Sequence, residues 1–408
     1  MPLLADVRPL RASPEFRRAW IGHAFSAIGT GMTGVALAVQ VYDLTGSSFA
    51  VGAIGLATLV PTLALGLFGG SIADAVDRRR LVLVTSSALA LVATLLAVQA
   101  ALDLRQLWLL YALAAAQSGL SAVDAPARRT FPPRLLPAGL VPAAAALTHL
   151  AWQISFLAGP LLAGVLMASI GAVAVYLLDA ATYAFAVWTI AGIRPMPPAG
   201  GGTAAGVRSV AEGLRYARRH PLVAGSLLAD LDAMVLALPH ALFPALADTR
   251  FGGGELATSL LYAALGLGGL LAAALSGPLG AVRRPGVAML VAVGCWGLAI
   301  LGLGLSPTLW LALGFLVVAG AADVVTVVCR ATILQLTTPD ELRGRISGVD
   351  FVVGAGGPQL GNVRAGAVAA FAGPAASAAL GGLACGLGAL ALAVALPALR
   401  RYRTDTSR

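Results

Sequence analysis

Lysine is absent from this chain. All 27 basic residues are arginine, a bias that by itself carries no mechanism. Charge of either sign is scarce: 11% of the 408 residues are charged, against 59% that are hydrophobic. No soluble domain of this size can hide that much apolar surface. Cysteine is limited to Cys295, Cys329 and Cys385, each inside an apolar run. No Cys pair or Cys/His cluster has ligand spacing, which argues against a disulfide framework and against a metal site. There is no phosphate-cradling loop in context and no converging Ser/His/Asp set, so an enzyme is not expected and no cofactor is implied. No cleavable leader is evident. Glu15–Arg18 leads straight into a full-length apolar stretch, so the first helix is expected to act as the targeting signal.

What the chain does have is apolar length. Twelve stretches reach or exceed the roughly 20 residues that a helix needs to cross a bilayer. They run over 18–42, 48–73, 80–101, 106–127, 139–168, 171–193, 221–247, 256–280, 285–305, 308–335, 345–371 and 374–399. The arginines fall in every second gap between them, and only Arg105, Arg250 and Arg364 lie elsewhere. Basic residues resist translocation, so the arginine-rich side is cytoplasmic. The pattern predicts an all-α, multi-pass inner-membrane protein with twelve transmembrane helices in two six-helix bundles and both termini in the cytoplasm. The net charge of +9 is strung along helix ends. It reads as topology determinants and lipid-headgroup contacts, not as a nucleic-acid surface.

The longest cytoplasmic gap divides the chain into an N-terminal bundle (1–193), a linker (194–220) and a C-terminal bundle with its tail (221–408). The linker opens on Pro195, Pro197 and Pro198, continues through a Gly/Ala-rich stretch to Gly206, and predicts a short amphipathic helix after it. Val207, Val210, Ala211 and Leu214 repeat at helical spacing opposite Arg208, Glu212, Arg215 and Arg219. Such a helix either braces two moving halves or simply rests on the membrane. The halves echo one another weakly: the fourth stretch ends in Arg128-Arg129-Thr130 and the tenth in Arg330-Ala331-Thr332.

The strongest motif is Gly70-Ser71-Ile72-Ala73-Asp74-Ala75-Val76-Asp77-Arg78-Arg79-Arg80, after the second stretch. Gly69 and Gly70 permit close helix packing there, and Asp74 is placed to meet a helix N-terminal dipole. The motif resembles the signature loop of the major facilitator superfamily. It departs from the usual pattern at Ala75, where a basic residue is common, and at Asp77, where glycine is common. The resemblance covers essentially the whole chain. It implies a cytoplasmic gate in which Asp74 caps the start of the eleventh span and Arg78 pairs with Asp124. A local ion pair between Asp124 and Arg128, four residues on, is the alternative. In the fifth stretch, Ser155, Gly159, Pro160, Ala163 and Gly164 resemble the Gly-Pro motif of exporters in the superfamily, with Ser155 and Ala163 at positions that are usually glycine. The motif implies a kinked helix whose flat face packs at the interface between halves. Leu242–Asp248, Leu261–Ala264, Arg284-Pro285-Gly286 and Thr338–Arg345 are similar to the enterobactin (siderophore) exporter branch.

Ionisable groups inside spans are costly and mark a partner or a pathway. Asp230 and Asp232 lie near mid-depth in the seventh stretch and Asp323 near mid-depth in the tenth. A carboxyl that binds and releases a proton as a cavity changes side is what an antiporter needs; Asp230 and Asp323 are the candidates. A fixed ion pair is the other reading, and it is the better one for Asp350 with Arg330. The span-four arginine of related antiporters is missing, with Ala114 near its place. Asp179 lies in the outer half of the sixth stretch. Polar stripes suggest a substrate wall: His149, Trp152, Gln153 and Phe156 on one face of the fifth stretch, Gln117 and Ser121 in the fourth, Thr30 in the first. Helix–helix hydrogen bonding is the plainer alternative for all of them. Arg364 either attracts an anionic solute or snorkels to the surface.

These readings converge on a monomeric secondary exporter working by proton-coupled antiport. The expected cargo is a siderophore, with multidrug or macrolide-type efflux as the alternative. The lack of a charged ring and the two-half design argue against a channel.

Overall fold

The computed structural model describes residues 6–198, 207–275 and 282–404, and every regular element among them is helical. The first half runs α1 (Pro14–Thr45), α2 (Ser48–Ala75), α3 (Arg78–Ala101), α4 (Leu107–Arg129), α5 (Val141–Ser169) and α6 (Ala172–Ala191). A linker helix (Val207–Arg219) follows. The second half runs α7 (Pro221–Thr249, broken in the middle), α8 (Gly254–Ala274), α9 (Pro285–Leu305), α10 (Leu309–Thr337), α11 (Asp340–Ala372) and α12 (Pro374–Ala395).

Local chemistry sets the helix starts. Pro14, Pro221, Pro285 and Pro374 open their helices at the position where a missing N–H is harmless and a fixed φ helps. Ser13 Oγ accepts the Phe16 N–H at 3.1 Å at the start of α1. Asp77 accepts the Arg80 N–H at 2.9 Å and caps α3. One of the two residues that depart from the superfamily loop pattern, Asp77, is therefore a helix cap.

Ten of these segments are long and apolar enough to cross a membrane, where the hydropathy pattern predicts twelve. The other two long helices are α4 and α11. They carry Gln117, Ser118, Ser121 and Asp124, and Asp350, Gln359, Asn362 and Arg364, which lowers their apolar content. Large outward side chains such as Trp188, Trp310 and Phe371 are at least 72% exposed, as suits helices surrounded by lipid rather than water.

The chain divides into two compact units, residues 1–44 with 60–204 and residues 45–59 with 205–408. The start of α2 thus groups with the second unit. It packs on α11 through small residues: a Cβ on Gly366 would lie 2.9 Å from the Phe49 Cα. The linker helix also groups with the second unit.

In the first unit, arginines finish the end of α6. Arg79 donates to the Ala191 carbonyl at 2.7 Å and Arg18 to the Gly192 carbonyl at 2.9 Å. The last carbonyls of a helix have no partner within it and carry partial negative charge, so cations stabilise them. Phe16, Val82, Phe131, Ile190 and Met196 pack into one apolar cluster beneath this cap.

The linker helix does not present the stripe expected of it. Ala211 and Leu214 are exposed, while Gly213 and Ala217 are buried and Val210 is half-buried. Its docking face is centred on Gly213, where a Cβ would sit 2.9 Å from Val349 Cγ2 of α11. The helix packs on its own unit, and glycine at 213 carried no hydrophobic signal that a periodicity count could register. The stretch 199–206 and the side chains of Val207 and Arg208 lie outside the described residues.

Candidate functional site

Two prolines break α7. A residue at 239 would normally donate its N–H to the Val235 carbonyl, and one at 244 to the His240 carbonyl; Pro239 and Pro244 supply neither. The backbone takes a wide π turn over Asp232–Leu236 and a 3-10 turn over His240–Leu242. Donors for the freed carbonyls come from other helices. Arg364 Nε of α11 reaches Val235 at 3.1 Å, and the Tyr262 hydroxyl of α8 reaches His240 at 2.9 Å. Arg364 also donates to the Ser377 carbonyl at 3.4 Å. Arg364 therefore neither snorkels nor reaches for a solute in this structure. It turns inward because irregular backbone at membrane depth must be satisfied from within the protein.

Two residues before that turn, Asp230 is buried and ion-paired with Arg330 of α10. The same guanidinium lies 3.2 Å from the Asp350 carboxylate of α11. The Arg330–Asp350 pair is the fixed pair expected from the sequence; the sharing of Arg330 with Asp230 was not legible. Asp323 precedes Arg330 by two turns on the same face of α10. It is within electrostatic range of Asp230 and Arg330 and makes no hydrogen bond or ion pair among the described residues. One guanidinium thus serves two carboxyl groups with a third nearby, and the cluster's charge changes whenever one proton binds or leaves. Asp232 points elsewhere, towards Gly388 of α12.

The first unit holds the candidate substrate wall. On α5, His149, Trp152 and Phe156 are exposed and Gln153 is half-buried. Trp152 and Phe156 meet edge to face at 5.2 Å. Ser155 and, further along α5, Gly159, Pro160, Ala163 and Gly164 are all buried. A Cβ on Gly159 would lie 3.0 Å from the Gly31 backbone, so the flat face of the Gly-Pro motif packs on α1 of its own unit. On α4, Gln117 and Ser121 are half-buried, and the Gln117 side-chain nitrogen has no partner. Thr30 follows the plainer alternative: its hydroxyl bonds the Tyr183 hydroxyl of α6 at 2.7 Å.

A buried network around Asp179 went largely unread in the sequence. The Thr33 hydroxyl donates to Asp179 at 2.6 Å, Tyr176 donates to Gln40 at 2.9 Å, and Gln99 donates to Gln40 at 3.0 Å. The signal was present as polar residues at helical spacing in α1, where Thr33 and Gln40 lie seven apart.

At the proposed gate, a Cβ on Gly69 would lie 2.9 Å from the Ala122 carbonyl, so α2 and α4 touch closely. Arg78 is buried, with its N–H on the Met196 carbonyl at 3.0 Å. Asp74 closes α2, and its side chain lies outside the described residues. Asp124 takes the local alternative: it pairs with Arg128 and accepts the Thr85 hydroxyl at 2.6 Å. Arg128 in turn donates to Ser86 at 2.7 Å.

A family model described as transmembrane secretion effector matches residues 5–407. The chain belongs to that family. This secretion effector is 29% identical over 403 residues to the enterobactin exporter EntS of Shigella boydii serotype 18, covering 98% of this chain and 96% of that one. The enterobactin exporter EntS of Citrobacter koseri is similar to the same degree over the same shares. The solved nucleoside transporter NupG aligns with a TM-score of 0.76 at 14% identity, over 95% of this chain and 99% of its own. At that identity the likeness speaks for the fold alone, which is the all-α major facilitator fold that the signature loop implies. The secretion effector is a multi-pass membrane transporter and not an enzyme.

Proposed function

We propose that this secretion effector exports a bulky, amphiphilic small molecule, a siderophore, from the cytoplasm by alternating access coupled to inward proton flow. The direction and cargo class follow the relatives named as enterobactin exporters, which match along nearly the whole chain. The coupling reading is supported by one observation: Asp230 and Asp350 share the single guanidinium of Arg330, with Asp323 within electrostatic range and unpaired among the described residues. A cluster whose charge depends on one proton favours different surroundings before and after that proton arrives, and this difference is what links a gradient to a conformational change. Asp230 or Asp323 is the carrier in this scheme. His149, Trp152, Gln153, Phe156, Gln117 and Ser121 line the path of the cargo, and Asp74, Arg78 and Asp124 belong to the cytoplasmic gate. The chain works as a monomer in the cell membrane, with α4 and α11 also crossing to make twelve spans and both termini in the cytoplasm.

Inverted membrane vesicles carrying the full chain test this. A catecholate siderophore should accumulate under an imposed proton gradient, and an uncoupler should abolish accumulation. Flux that ignores the uncoupler sinks the antiport scheme and leaves facilitated diffusion. The exposed Trp152–Phe156 face supports a second cargo class, aromatic drug-like compounds. Competition of such a compound with siderophore uptake decides between the two.

A further inference from the structure

Cations gather where α7 begins. The linker helix presents Glu212, Arg215, Tyr216, Arg219 and His220 on one face, and Arg345 of α11 closes the groove they line, about 400 Å³ in volume. Glu212 is the one acid on its wall, 3.2 Å from the Arg345 guanidinium. Arg215 and Arg219 are exposed and make no ion pair or hydrogen bond among the described residues. Three guanidiniums against one carboxylate leave the groove with a net charge of +2.

Packing, not a counter-ion, holds these groups together. The Tyr216 hydroxyl donates to the Thr337 carbonyl at the end of α10 at 3.2 Å, and its ring lies 3.9 Å from that of His220. Gly213 brings the helix flush against the backbone that carries Arg345. Because Arg215 and Arg219 have no partner among the described residues, an anion from outside the protein suits the groove.

Position narrows the class. His220 directly precedes α7, and Arg345 lies in the second turn of α11. The groove is therefore level with the ends of two spans, where lipid headgroups sit. Leu336, next to the Thr337 carbonyl that Tyr216 holds, is 62% exposed and offers apolar surface beside the charge. Arginine forks match phosphate oxygens in pairs. We propose that this groove binds the phosphate of an anionic phospholipid headgroup, through Arg215, Arg219 and Arg345.

The test uses the full chain purified in neutral detergent and native mass spectrometry with phosphatidylglycerol, phosphatidylcholine and inorganic phosphate. Phosphatidylglycerol should bind at least about tenfold tighter than phosphatidylcholine, a difference that the charge of one headgroup can supply. The double variant Arg215→Ala/Arg219→Ala should lose that preference while eluting as a single folded species, since both side chains are exposed. Arg215→Lys/Arg219→Lys should recover part of it, because charge returns without the fork. Equal binding of the two lipids, or an unchanged preference in the alanine variant, overturns the proposal. Displacement of phosphatidylglycerol by millimolar inorganic phosphate also overturns it and assigns the groove to a free anion.

Discussion

The two units keep their buried polar groups in different chemical forms. In the first, hydroxyl and amide groups hold one another: Thr30 with Tyr183, Gln40 with Gln99 and Tyr176, and Thr33 on Asp179. A buried ion pair there, Asp124 with Arg128, is local to a helix end. In the second, Arg330 of α10 joins Asp230 of α7 to Asp350 of α11, with Asp323 nearby and unpaired. Hydrogen bonds between hydroxyl and amide groups fix helix packing and do not respond to a gradient, and the Asp179 carboxyl is held by such a hydroxyl. An ionic cluster with more carboxyls than cations does respond, because each proton changes how strongly its helices hold together. On the proposed scheme the first network is structural and the second carries the coupling.

The most severe way to break that contrast is to remove Arg330. Arg330→Ala leaves Asp230 buried without a cation, and stability should fall by about 3–5 kcal/mol. Thermal unfolding of the purified variant reads this directly, and adding Asp230→Ala should recover part of the loss. Next come the carboxyls themselves. Asp→Asn at the true carrier, Asp230 or Asp323, should abolish gradient-driven accumulation in inverted vesicles and spare solute exchange. Normal accumulation by both variants would remove the second unit from the coupling mechanism. Trp152→Ala should raise the KM for export by about tenfold, the order expected for losing one aromatic contact. An unchanged KM would turn the exposed face of α5 into a lipid contact. Tyr183→Phe removes the partner of Thr30, and unfolding should show a loss of about 1 kcal/mol with proton coupling intact. The smallest effect is expected at Asp179→Asn, which keeps an acceptor for Thr33. Coupling lost there would mean that the first unit carries protons too.

Much of this arrangement was legible, and the residues show why. Arginine placement located the loops because charge at a span end obeys one strong rule. Estimated depth paired Arg330 with Asp350 because neighbouring helices place equal depths side by side. Depth says nothing about which way a helix is turned, so Asp230, 100 residues away, was not seen to share the same guanidinium. The α5 motif predicted a flat face but could not name Gly31 as what it meets. Pro239 and Pro244 were in plain view, yet hydropathy reads apolar length and is blind to lost N–H groups. Arg364 was misread for the same reason: its partner is a backbone carbonyl, which leaves no mark in a sequence. The docking face of the linker helix was missed because its centre is a glycine.

The interruption of α7 has a mechanical consequence. A continuous helix is a stiff rod, and any rotation at one end is delivered to the other. Between Asp232 and Leu242 this rod is jointed, and its joint is held by two replaceable clasps, Arg364 and Tyr262. The segment bearing Asp230 can twist with α10 and α11 while the segment beyond Phe243 stays seated among its neighbours. On the proposed scheme, a charge change at the ionic cluster need only turn a lever of about ten residues, not drag an entire span through the lipid.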